Sequence, residues 1–182
     1  MQNKDKETIV GGEKPNLPHG HICGVPPCGI IGYNNNTDDI PEAELPSYDH
    51  INYVHDSRGR LHFSGFKWQC VEYACRWWIA QLDVYLPSIG RACEIWTDLK
   101  TVKNLSDKSG AYVALVKHES GFTTVRPEIN DAIIWKSTES AFVGHIAVVC
   151  EVTDSMVRVA EQNVDNNVLW KGGHYAREFK LT

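Results

Sequence analysis

Residues 67–82 read Lys67-Trp68-Gln69-Cys70-Val71-Glu72-Tyr73-Ala74-Cys75-Arg76-Trp77-Trp78-Ile79-Ala80-Gln81-Leu82. Val71, Ala74, Cys75, Trp78, Ile79 and Leu82 recur at steps of three and four, the period of one helix face. Glu72 falls in the first turn, where a carboxylate meets the positive end of the helix dipole. Pro87 is expected to stop the element. Cys70 stands at its N-terminus, where unpaired N–H groups and the dipole favour a thiolate. The same groups can hold an oxyanion formed beside the sulfur. One position thus offers an activated nucleophile and part of an oxyanion hole, with Gln69 as a candidate second donor. A lone cysteine can equally be a small buried hydrophobe, so it needs partners to carry chemistry.

Downstream, a weaker helical segment is expected from about Cys93 to Leu105. The rest reads as strands: Tyr112–Val116, Asp131–Trp135, Gly144–Val152 and Met156–Glu161. Thr153-Asp154-Ser155 is a turn-like cluster that makes the last two a hairpin. Upstream, Gly29–Tyr33 is one candidate short strand, and the segment from Asn34 to Pro46 is a polar loop. Helix first and antiparallel strands afterwards is an α+β order. The expected division is a loose N-terminal segment over 1–18 and one folded domain over 19–182.

A thiolate needs a base, and the base needs an orienter. Among eight histidines, His145 follows Gly144 and opens an apolar strand; Glu161 ends the partner strand sixteen residues on. An odd-length loop centred on Thr153 would put His145 and Glu161 directly opposite each other on one face. An even-length loop would put them on opposite faces.

Composition narrows the classes. The 182 residues suit one domain with a real core. Net charge is −5 and no basic run appears, which argues against a nucleic-acid binder. No apolar run approaches the roughly 20 residues of a membrane span. The first residues lack the apolar stretch of a signal peptide, so the expected compartment is the cytoplasm. There the six cysteines are expected to be free or catalytic rather than paired. His19, His21, Cys23 and Cys28 lack the tight pairs of a zinc site, and no metal or cofactor is expected. No G-x-S-x-G elbow and no phosphate-binding glycine loop is present.

Three segments together carry a resemblance. Lys67–Arg76 resembles the nucleophile segment of CHAP-domain amidases, Gly144–Val149 their histidine strand, and Ala160-Glu161-Gln162-Asn163 the segment of their third catalytic residue. Within that family the wording K-W-Q-C-V-E, an aromatic, and A-E-Q-N is similar to the amidase domains of glutathionylspermidine and trypanothione synthetase/amidases. The resemblance implies a papain-like CHAP fold, with the cysteine helix packed on an antiparallel sheet. It implies a triad of Cys70, His145 and Glu161, with Gln69 assisting the oxyanion. It points to Arg76, Asn163 and Trp68 as substrate contacts. The implied substrate is a small-molecule or peptide amide, with a glutathione–polyamine conjugate favoured. The chain leaves no room for the ATP-using synthetase domain of such enzymes, so hydrolysis alone is expected, or the chain is part of something larger. Two competing readings stand beside this one: a peptidoglycan amidase or endopeptidase, and a catalytically idle CHAP fold that only binds.

Overall fold

The computed structural model describes residues 16–38, 40, 50–87, 89–122, 124–139 and 141–181. Most of the expected loose N-terminal segment, and part of the polar loop, lie outside these residues. Within them, Leu17 is buried and its N–H donates to Asn167 Oδ1 at 2.8 Å, so the folded body already includes this residue.

The elements run β1 (Ile22–Gly24), β2 (Gly32–Tyr33), β3 (Ile51–His55), β4 (Leu61–Phe66), α1 (Cys70–Leu82), β5 (Val84–Tyr85), α2 (Ala92–Thr97), β6 (Thr101–Asn104), β7 (Tyr112–Ala114), β8 (Ala132–Trp135), β9 (His145–Val152), β10 (Met156–Ala160) and β11 (Arg177–Lys180). The fold is α+β. A four-stranded antiparallel sheet in the order β11-β10-β9-β8 is its centre, flanked by the ribbons β1-β2 and β3-β4 and the small sheet β5-β6-β7.

α1 packs on one face of the central sheet. Tyr73, Trp77 and Ile79 are at most 1% exposed and meet Ile146, Val148 and Ala160 in the main core. Each such side chain contributes about 1.5–3 kcal/mol by leaving water. Alternation along β9 sends Ala147 and Val149 to the other face, where they join Val157 and Val159 in a second cluster.

α1 ends at Leu82, the last residue of the expected stripe and short of Pro87: Asp83 takes a left-handed backbone (φ 52°) and its N–H returns to the Ile79 carbonyl. Asp tolerates that conformation, and its carboxylate is held by the N–H and hydroxyl of Ser57. α2 ends at Thr97 instead of reaching Leu105. The next residues, Thr101-Val102-Lys103-Asn104, pair with β5 and β7 as a strand, which suits the β-branched Thr101 and Val102.

The β9–β10 hairpin also differs in detail. Thr153 N–H bonds the Met156 carbonyl, so the loop is the two residues Asp154-Ser155, an even number. Val157 then faces Val152 and Arg158 faces Glu151. Beyond a bulge, Val159 faces Val149 and Ala160 faces Val148, leaving Cys150 as the extra residue. The bulge reverses the effect of the even loop. Continued past Ala160, this register sets Glu161 diagonal to His145 and on the same face.

Candidate active site

Cys70 is the first residue of α1 and is 7% exposed. Gln69, the N-cap, has an extended backbone and makes no side-chain cap bond. Its own N–H is used by the Phe66 carbonyl at 2.9 Å. The helix geometry leaves the Cys70 N–H without an intrahelical partner, and the Gln69 side chain stands beside it at this end of the helix.

His145 opens β9 and stands directly across from Trp135 of β8, with ring centroids 5.5 Å apart. The residue before it must be glycine. Gly144 has φ 68°, and a Cβ there would lie 2.5 Å from the Trp135 carbonyl oxygen and 3.0 Å from Cys93 Cβ. This tight turn delivers the imidazole to the N-terminal end of α1. His145 Nε2 lies 2.7 Å from Glu161 Oε2. An ionised Glu161 makes Nε2 the donor, which leaves Nδ1 as the ring nitrogen available to Cys70, whose charge also acts on this ring.

Electrostatics follow from these contacts. Burial pulls the His145 pKa down, but its bonds to Cys70 and Glu161 and their negative charge outweigh burial, and the net shift is upward. Burial pushes Glu161 up, but His145 and Arg177 outweigh it, and the carboxyl is held below its ordinary value. A buried imidazole beside a buried carboxylate therefore favours the charged pair. Elsewhere burial pushes the Cys28 thiol up, Cys23 up to about 11, and Cys75 and Cys150 up to about 12. All six cysteines are free.

A cavity of about 350 Å³ opens over Cys70 and His145. Its walls are mostly apolar: Phe63, Phe66, Val71, Leu86, Pro87 and Ile89. Gln69 and Asn163 stand at its polar side, where Asn163 Nδ2 donates to Gln69 Oε1 at 2.8 Å. That bond occupies the Gln69 oxygen and leaves its Nε2 as a donor. Asn163 has φ 58°, which an Asn tolerates in a tight turn.

Arg76 and Trp68 sit elsewhere. Arg76 is 8% exposed and absent from the cavity wall. Its Nε bonds Glu72 Oε1 at 2.7 Å, Nη1 bonds the Ile31 carbonyl, and Nη2 bonds Gln162 Oε1. The guanidinium also lies over the rings of Tyr33, Trp68 and Tyr73. Arg76 thus holds the inner side of α1 and is bonded away from this cavity. Trp68 packs on Tyr33 at 4.0 Å and likewise lies outside the cavity wall. Glu72 reaches that wall, but its carboxylate is taken by Asn52, Ser64, Arg76 and Gln162.

Sequence reasoning missed Arg177. Its Nε and Nη2 grip both oxygens of Glu161, at 2.5 and 2.6 Å. The available signal was faint: a polar–apolar alternation over Arg177-Glu178-Phe179, with nothing to set its register. The structure pairs this strand with β10, placing Arg177 across from Val159.

Among the described residues no helix is long and apolar enough to cross a membrane. None of their His, Cys, Asp and Glu side chains cluster in threes able to hold a metal ion.

Comparison with known proteins agrees with this architecture. The chain is 33% identical over 163 residues to a trypanothione synthetase of Crithidia fasciculata, covering 90% of this chain and 23% of that protein. It is 30% identical over 156 residues to a glutathionylspermidine synthase of the same organism, covering 81% and 21%. It is 27% identical over 174 residues to the bifunctional glutathionylspermidine synthetase/amidase of Escherichia coli, covering 94% and 26%. The chain spans about a quarter of the length of these relatives. The CHAP domain model matches residues 61–163, from β4 through the cysteine helix and histidine strand to Asn163, and the chain belongs to the CHAP domain family.

Proposed function

We propose that this domain is a cysteine amidohydrolase that cleaves glutathione–polyamine amides such as glutathionylspermidine. The observation that carries the reading is the His145 Nε2 to Glu161 Oε2 bond of 2.7 Å, with Cys70 on the other side of the ring at a helix N-terminus. Membership of the CHAP family supports hydrolysis of an amide bond, as does similarity to a relative named as a synthetase/amidase. The names of the relatives support the glutathione–polyamine choice. Free thiols at all six cysteines suit a reducing compartment such as the cytoplasm.

The chemistry runs in two halves. The Cys70 thiolate attacks the amide carbonyl carbon, and the oxyanion is held by the Cys70 N–H and Gln69 Nε2. As the intermediate collapses, the C–N bond breaks and His145 gives its proton to the departing amine. A glutathionyl thioester remains on Cys70. Water then attacks that thioester while His145 accepts its proton, and glutathione leaves as the Cys70 thiolate is restored. Glu161 holds the imidazole throughout and stabilises its positive charge.

The test is a mass-spectrometric digest of glutathionylspermidine by wild type and Cys70→Ala, with a peptidoglycan muropeptide in parallel. Release of glutathione and spermidine by wild type only is the expected result. Cleavage of the muropeptide alone would overturn the substrate assignment and keep the chemistry. Turnover by Cys70→Ala would overturn the nucleophile.

A further inference from the structure

We propose that Arg177 is a positioning residue for the Cys70–His145 pair, acting through Glu161; this rests on the function proposed above. The Glu161 side chain is 3% exposed, and a buried carboxylate bonded only to His145 could rotate about its last bond. The two-pronged grip of Arg177 fixes the carboxylate plane. Oε2 is then aimed at His145 Nε2, which fixes the ring and leaves Nδ1 as the nitrogen available to Cys70.

Arg177 is itself held in place. Its backbone is in the ladder opposite Val159. Its guanidinium lies 4.8 Å from the Trp135 ring centroid and 5.4 Å from that of Phe179. Trp135 also packs on His145, so one indole braces both ends of the Arg177–Glu161–His145 row. Trp135, His145 and Arg177 come from β8, β9 and β11, while Glu161 follows β10. The row therefore crosses the whole sheet. Lysine could supply the charge but not the fork.

Charge and geometry agree. Burial raises the Glu161 pKa, while His145 and Arg177 bring it below its ordinary value. Among the described residues these two, from β9 and β11, are the charged groups facing Glu161; Cys70 of α1 faces His145 from the other side. Losing Arg177 removes one of the two cations that keep the carboxylate ionised and leaves it free to turn.

The experiment is the rate of Cys70 carbamidomethylation by iodoacetamide as a function of pH, read by peptide mass spectrometry. This readout needs no substrate. It is run on wild type, Arg177→Met, Arg177→Lys, Glu161→Gln and the Glu161→Gln/Arg177→Met double variant. In Arg177→Met the acid limb is expected to move to higher pH, with Cys70 labelling below it slowed roughly tenfold, the usual scale for losing an outer-shell partner. Arg177→Lys should recover part of the loss. In the Glu161→Gln background, Arg177→Met should add nothing, because the group it acts through is gone. The double variant removes both charges, so it preserves the test if Arg177→Met alone fails to fold. A wild-type profile in Arg177→Met, or an equal added shift in the Glu161→Gln background, would overturn the proposal. Wild-type Cys70 labelling no faster than the other cysteines would contradict the underlying function and overturn the proposal with it.

Discussion

Glu161 meets His145 on the diagonal of the β9–β10 ladder, with Oε2 2.7 Å from Nε2, rather than straight across it. The bond raises the His145 pKa, so its loss should lower it. Glu161→Gln is expected to cut kcat/KM roughly a hundredfold, within the range for a disabled general acid–base. The basic limb of the pH–rate profile, set by His145 losing its proton, should move to lower pH. A basic limb that stays in place would show that Glu161 does not hold the imidazolium.

Stability should carry the same signature. His145 has a raised folded pKa, so its contribution is full below the ordinary value of 6.5 and is lost as pH rises through the folded value. Glu161 has a lowered folded pKa, so its contribution is full above 4.5 and is lost as pH falls through the folded value. The pair therefore stabilises most between about 4.5 and 6.5. Urea unfolding of wild type and a His145→Gln/Glu161→Gln variant at pH 3, 5.5 and 9 should show the largest gap at the middle value. A gap independent of pH would contradict the charged pair.

Gly144→Ala should be costly for its size. The added methyl meets a backbone carbonyl 2.5 Å away, and φ of 68° disfavours any side chain. A loss of about 1–3 kcal/mol is expected from the strained backbone. Turnover should fall as His145 shifts from Cys70. An unchanged melting temperature together with unchanged kcat would show that this turn has slack.

Arg76 separates packing from binding. Arg76→Gln leaves the buried Glu72 carboxylate without its cation, which costs about 3–5 kcal/mol. KM should change little, because the Arg76 side chain is bonded away from the cavity wall. A raised KM with unaltered stability would restore the substrate contact.

How far the sequence spoke depends on the range of the interaction. α1 was legible because its stripe repeats within thirteen residues, although its burial runs all round from Glu72 to Ile79 and leaves Leu82 exposed. His145 and Glu161 were legible as a pair, yet their relation hung on loop length and on a bulge at Cys150 that no local pattern announces. The β3–β4 hairpin was not read at all. β3 alternates only exposed and half-buried positions and β4 has no regular alternation, its one buried residue being the polar Ser64, so period-two patterning is weak. Arg177 needed the β10–β11 register, a tertiary fact. The Arg76–Glu72 ion pair was not read, although Glu72 lies four residues before Arg76, the spacing of a helical ion pair.

The central claim is that Cys70 carries the acyl group. Rapid quenching of the wild-type reaction with glutathionylspermidine, followed by peptide mapping, tests it most directly. A hydroxylamine-sensitive glutathionyl adduct on the Cys70 peptide is the predicted result. Amine release with no adduct on Cys70, or an adduct on another cysteine, would contradict the account.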